Sequence, residues 1–229
     1  MPRDFTTIGR ALSAPARSDI VNILMDGSSR PAGELASVAA VSASTASEHL
    51  AVLVEAGILV VETNGRRRLY RIADGGIAAA LEQLGLLCPP TEDLTYYRAR
   101  DARRLADARF CYDHLAGRLG VAVTDSMSDA GWLGGDLALT ARGETALAER
   151  GIDLAALRSG RRRLTRACAD WTERRPHLAG SLGSAVAAHF LAQQWIEREV
   201  PRAVRITRAG RTALPKEWGV PADALPVAR

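Results

Sequence analysis

The chain has 229 residues, 47% of them hydrophobic and 24% charged, with a net charge of +4, which excludes a disordered chain and predicts a folded, soluble one. No apolar run approaches the ~20 residues of a bilayer span, and Met1-Pro2-Arg3-Asp4-Phe5 has no basic segment followed by an apolar one, so neither a membrane nor a secretory route is expected. Three widely spaced cysteines, Cys88, Cys111 and Cys168, argue against a secreted disulfide scaffold and for the reducing cytoplasm.

Positive charge is local rather than general. Residues 1–88 carry eight arginines against nine acids, and half of those arginines stand together as Arg66-Arg67-Arg68 and Arg71. A phosphate contact there would be local and geometrically specific.

From Phe5 to Met25 apolar residues recur at helical spacing, broken at Ala14-Pro15 because the residue before a proline avoids the helical region. This predicts two helices, the second ending at Asp26-Gly27 with Gly27 as its cap. Gly33 to Val41 predicts a third helix. Ser42 caps a fourth, from Ala43 to about Glu55, whose buried stripe is Ala46, Leu50 and Leu53. Its opposite face presents Ser44, Thr45, Ser47, Glu48 and His49, short polar side chains where a recognition helix meets base edges. Two β-rich runs follow, 58–63 and 69–72, with Asn64-Gly65 between them as a hairpin turn. Arg66, Arg67 and Arg68 at the tip are placed to grip phosphates or enter a minor groove. One more helix, 76–87, closes the unit.

These segments resemble the ArsR/SmtB family of bacterial repressors. The resemblance rests on Ala11 to Arg17 with Ile20 and Leu24, on Glu34-Leu35-Ala36, on the run from Val41 to Leu59, and on Gly65-Arg66 with Leu69-Tyr70. It implies a winged helix-turn-helix over residues 1–88. It also implies a homodimer reading a palindromic double-stranded operator, with Ser42, Ser44, Thr45, Ser47, Glu48, His49, Asn64, Arg66, Arg67, Arg68 and Tyr70 at the DNA. Metal-sensing members place a cysteine pair just before Glu34-Leu35-Ala36. Here those positions read Ser29-Arg30-Pro31-Ala32-Gly33, and the helix 76–87 lacks the ligand set of the other family site. No metal is therefore expected at either family site.

Cys88-Pro89-Pro90 marks a break. Beyond it, Asp93 to Ala116 predicts one long helix, with Leu94, Tyr97, Asp101, Leu105, Ala108, Tyr112 and Leu115 at spacings of three and four. An internal repeat follows at an offset of 63: His114-Leu115-Ala116-Gly117-Arg118-Leu119-Gly120 returns as His177-Leu178-Ala179-Gly180-Ser181-Leu182-Gly183, and Cys111-x-Asp113 as Cys168-x-Asp170. Each copy reads as helix, helix, tryptophan, hairpin, helix. The fold class is thus mainly α with small β-hairpin wings: the winged helix-turn-helix, then a sensing and dimerisation region over 92–229. That region holds a pair of degenerate winged-helix-like repeats at about 105–150 and 162–215.

The repeats show no polar recognition helix, so their role is expected to be sensing an unknown effector. Cys111, Tyr112, His114, Cys168, Trp171 and His177 are the candidate residues. A soft metal or thiol-redox site at Cys111, His114, Cys168 and His177 competes with plain burial of small apolar thiols, and no resident cofactor is expected. A small organic molecule among Trp132, Trp171, Trp195 and Tyr112 is a further alternative. No phosphate loop, zinc-protease helix or nucleophile elbow occurs, so an enzyme is not expected. The competing class is a non-catalytic protein-interaction module built from winged-helix-like units.

Overall fold

The computed structural model of the chain describes residues 2–65, 67–88, 103–199 and 202–226. Expectations that fall on Arg66, or on the Asp93 to Ala102 part of the long helix, lie outside the described residues. The chain divides into two compact units, Met1–Ala80 and Leu81–Arg229.

In the first unit the elements run α1 (Thr6–Leu12), α2 (Pro15–Leu24), β1 (Arg30–Pro31), α3 (Ala32–Val38), α4 (Ala43–Glu55), β2 (Leu59–Asn64), β3 (Arg67–Ile72) and the start of α5 (Gly75–Gly85). Pro15 opens α2 while Ala14 is extended at φ −94°, ψ 132°, as a residue before proline must be. Helix α3 stops at Val38, three residues before the predicted end. Ala40 turns left-handed at φ 52°, and the Val41 N–H closes back on the Ala36 carbonyl at 3.1 Å. The strands form an antiparallel sheet in the order β1-β3-β2. Strand β1, unforeseen in the sequence because two residues carry no periodicity, pairs Arg30 with Tyr70. Asn64 pairs with Arg67, so the wing tip begins at Gly65, one residue later than the predicted Asn64-Gly65 turn. Ile20, Leu24, Leu35, Ala46, Leu50, Leu53, Ile58 and Leu59 make the core.

The second unit holds β4 (Arg109–Cys111), β5 (His114–Ala116), α6 (Gly117–Asp129), α7 (Ala141–Glu149), α8 (Leu154–Ser159), β6 (Arg166–Ala169), β7 (Pro176–Ala179), α9 (Gly180–Ala192), β8 (Ile196–Arg198), β9 (Val204–Ile206) and α10 (Arg208–Trp218). The predicted helix does not run on to Ala116: residues 103–107 are helical, and β4 and β5 then pair as an antiparallel hairpin. Tyr112 reverses the chain at φ 64°. All six strand residues are buried, so the apolar pattern has no period of two to separate it from a helix.

The stretches expected as repeats therefore each begin with a hairpin rather than a helix. In order they give hairpin, helix and tryptophan, then a second pairing, Leu133 with Leu139 in one and β8 with β9 in the other, and a last helix. Gly117 and Gly180 join hairpin to helix at φ 72° and 86°, and a Cβ on either would stand 2.6 Å from the carbonyl oxygen of Ala106 or Leu164. Trp218 (1% exposed) fills the centre of the core, with its ring edge-on to Phe190 at 4.8 Å and to Trp132 at 5.5 Å. No single helix among the described residues is long and apolar enough to cross a membrane.

Candidate nucleic-acid interface and a buried cysteine–histidine cluster

Helix α4 is built to show one polar face. Ala46, Leu50 and Leu53 are fully buried, which fixes its rotation and leaves Ser44, Ser47 and Glu48 exposed, with Thr45 and His49 half-buried beside them. Ser42 caps the helix by accepting the Thr45 N–H at 3.2 Å. Its hydroxyl also stands 2.8 Å from that of Ser44 and 2.9 Å from that of Thr45. The Ser47 hydroxyl donates to the Ala43 carbonyl at 2.9 Å.

Sequence reasoning gave no role here to Arg17. Its guanidinium reaches the carbonyls of Ala11 at 2.6 Å and Arg10 at 2.7 Å, at the end of α1, and meets His49 Nδ1 at 3.1 Å. It therefore ties the recognition helix to α1.

On the wing, Arg67 and Arg68 are exposed, while Arg71 pairs with Glu62 at 2.5 Å. Tyr70 does not belong with them: strand alternation turns it and Ile72 inward, and Tyr70 is only 8% exposed. This removes it from the expected DNA-contacting set.

In the second unit, two hairpins set the same pair of side chains opposite each other. Cys111 faces His114 across β4–β5, and Cys168 faces His177 across β6–β7. One ligand atom from each of these four buried residues lies within 4.8 Å of every other. The two sulfurs are 4.0 Å apart and both cysteines are free. Behind the histidines stand carboxylates: His114 Nδ1 lies 3.3 Å from Asp113 and His177 Nδ1 3.3 Å from Asp170. The Nε2 atoms of both histidines and the Nδ1 atom of His177 are buried and make no hydrogen bond.

Glu82, on a helix that the sequence marks as carrying no family ligand set, accepts from the Cys111 thiol at 2.9 Å. It is buried with Arg109 at 3.4 Å and also pairs with Arg202. Arg109 in turn pairs with fully buried Asp170 at 3.1 Å. Burial opposes ionisation of Glu82 and of Asp170, but the surrounding donors outweigh it. Arg202 and Arg109 hold Glu82 below the usual carboxylate range. His177 and Arg109 hold Asp170 far below it. The hydrogen bond with Cys168, together with burial, pushes the Cys111 thiol up to about 12, whereas the same bond draws Cys168 down.

The other candidate residues do not join this cluster. Tyr112 is 64% exposed at the hairpin tip, and Trp171 lies under the Arg109 guanidinium at 5.4 Å. Trp132 and Trp195 are buried in the hydrophobic core. A surface cleft of about 580 Å³ is lined by Trp132 and Trp218 but by none of Tyr112, Trp171 or Trp195, so the four aromatics proposed from the sequence do not share it.

A capped recognition helix on a three-helix core, followed by an arginine-bearing wing, defines a winged helix-turn-helix DNA-binding protein. The helix-turn-helix domain family matches residues 12–62. The chain is also 39% identical over 224 residues to the uncharacterized HTH-type transcriptional regulator YdfF of Bacillus subtilis, covering 96% of this chain and 99% of that one. The chain belongs, with this relative, to a family of helix-turn-helix transcriptional regulators. It is 39% identical over 77 residues to the HTH-type transcriptional regulator CmtR of Mycobacterium tuberculosis, covering 34% of this chain and 64% of that one. The NMR structure of that cadmium metal-sensor is matched at 35% identity and a TM-score of 0.31, over 39% of this chain and 94% of that one.

Proposed function

We propose that the chain is an effector-responsive repressor that binds a palindromic operator as a homodimer. The observation that carries this is the exposed row Ser44, Ser47 and Glu48 on α4, flanked by Thr45 and His49 and followed by Arg67 and Arg68 on the wing. In a dimer, two such helices enter major grooves one helical turn apart, about 34 Å. Ser42, Ser44, Thr45, Ser47, Glu48 and His49 approach base edges or the adjoining backbone. Asn64, Arg66, Arg67 and Arg68 engage the neighbouring groove and its phosphates.

Residues 1–88 are the DNA reader and 92–229 the sensing and dimerisation region, read as two degenerate winged-helix-like repeats. The constant 63-residue offset of the repeated motifs supports that reading. The effector is a soft metal ion or a thiol oxidant acting at Cys111, His114, Cys168 and His177. The role is regulatory rather than catalytic, and its place is the cytoplasm.

Fluorescence anisotropy on the gene's own upstream DNA tests this, with wild type and the Arg66→Ala/Arg68→Ala double variant at two salt concentrations. Tight, salt-sensitive binding that the variant loses is expected. Binding no tighter than to random-sequence DNA would overturn the reading and favour a protein-interaction module.

A further inference from the structure

We propose that Cys111, His114, Cys168 and His177 form a closed tetrahedral site for one divalent zinc-type ion per chain. The assignment narrows the effector of the preceding reading to a metal ion, and rests on that reading for its effect on DNA binding.

Four observations converge. The donor set is two thiols and two imidazoles, which suits zinc and its relatives and not magnesium or calcium. The spacing fits as well. With metal–sulfur bonds of about 2.3 Å, tetrahedral sulfurs stand roughly 3.8 Å apart, against 4.0 Å here. The widest donor separation, 4.8 Å, needs each atom to move inward by less than about an ångström to meet an ion.

The histidines supply the third observation. Both Nε2 atoms, and Nδ1 of His177, are buried without hydrogen-bond partners, a state that proteins avoid; Nδ1 of His114 is hydrogen-bonded to Asp113 at 3.3 Å, and the Asp170 carboxylate stands 3.3 Å from His177 Nδ1. Metal-bound histidines are oriented by a carboxylate bond of the kind His114 makes. A Cys111–Cys168 disulfide would leave both Nε2 atoms orphaned, whereas an ion satisfies them together.

The fourth is charge. Glu82 and Asp170 are already matched by Arg109 and Arg202. Two thiolates then neutralise a divalent ion, while a monovalent one would leave a buried negative charge. As the two metal–sulfur bonds form, the two thiol protons pass to the buffer. All four positions are taken by protein, so the site is closed and joins the β4–β5 hairpin to the β6–β7 hairpin instead of presenting an ion to a substrate.

Cobalt(II) is the probe. Full-length, reduced and metal-depleted Cys88→Ser protein is titrated with Co(II), because Cys88 is exposed and would otherwise offer a stray thiol. The expected result is the visible spectrum of tetrahedral Co(II) with thiolate charge transfer, saturating at one ion per chain and erased by one equivalent of Zn(II). Cys111→Ser and Cys168→Ser each weaken the charge transfer, and the double variant loses it. Asp113→Asn, which leaves all four donors in place, weakens binding roughly 10- to 100-fold. A six-coordinate spectrum, or no binding by the folded parent protein, overturns the site whatever the variants do. If the parent lacks the spectrum but still binds its promoter, the site fails and the regulator stands. If it shows the spectrum but binds no promoter DNA, the site stands and the regulator reading fails. Promoter affinity that is equal with and without Zn(II) overturns the ion's role as effector.

Discussion

Asp170 and Gly117 are 53 residues apart in sequence, yet the Asp170 carboxylate accepts the Gly117 amide N–H at 2.6 Å. The same fully buried carboxylate holds Arg109, the Thr172 amide and the Thr172 hydroxyl. It is thus the joint at which the β6–β7 hairpin grips the start of α6. Asp170→Ala leaves the Arg109 guanidinium buried with only Glu82 to balance it. Removing one partner of a buried pair costs about 3–5 kcal/mol, so the urea midpoint of the metal-depleted protein should fall sharply. A midpoint within error of wild type would show that Arg109 finds another partner.

That joint was not legible in the sequence, and the reason is instructive. The motif Cys-x-Asp repeats at offset 63, yet the two aspartates do different work. Asp170 is buried at the centre of the unit, while Asp113 is partly exposed and pairs with Arg162. Identity by repeat says nothing of burial. By contrast, α4 could be read to the residue, because a serine cap, a three-residue buried stripe and a terminal Ala56-Gly57 all mark one helix. The four cysteines and histidines were each visible as candidates. One site made of all four was among the alternatives, but the geometry that brings them together was hidden, because a helix was expected where a two-residue turn lets Cys111 and His114 face each other. Glu82 escaped notice for the same reason: what it touches is 29 residues away at Cys111.

The hairpin-to-helix junctions give a second prediction. Gly117 and Gly180 have positive φ, and each would drive a Cβ to 2.6 Å from a backbone carbonyl oxygen. Alanine at either position combines a left-handed backbone with a clash against main chain that cannot rotate away, at about 1–3 kcal/mol for each effect. Gly9→Ala in α1 is the control. It meets nothing within 4 Å, and as a helix-interior glycine its replacement should stabilise by about 0.5–1 kcal/mol. Denaturant unfolding of the three variants should therefore shift in opposite directions. Equal shifts would remove the steric explanation.

His189 sets an acid limb of stability. It packs edge-on to Trp195 at 5.5 Å and beside Trp218 at 5.9 Å. Burial lowers its pKa below the ordinary 6.5, with Glu217 opposing and Arg150 reinforcing the shift. The folded protein thus binds the proton less readily than the unfolded chain. The contribution is complete above 6.5 and is lost as pH falls through the lowered folded value. His189 is half-buried, so the effect is small. The urea midpoint should drop between about pH 7.5 and about pH 5.5, and His189→Gln should flatten that segment of the curve. An unchanged slope in the variant would assign the acid limb to another group.

Arg17 offers the sharpest separation of folding from DNA reading. Its three contacts, to the Ala11 and Arg10 carbonyls and to His49 Nδ1, make it both the end-cap of α1 and a brace for the recognition helix. Arg17→Ala should cost about 1–3 kcal/mol of stability, as expected for lost charged hydrogen bonds. It should also weaken promoter binding roughly tenfold, or about 1.4 kcal/mol. His49→Ala keeps the two carbonyl contacts, so stability should stay near wild type while promoter affinity falls. If the brace acts through His49, the two losses of affinity will not add: the double variant should bind DNA about as weakly as the worse single one. Full additivity would mean that Arg17 and His49 reach the DNA independently, and the 3.1 Å contact between them would carry no functional coupling.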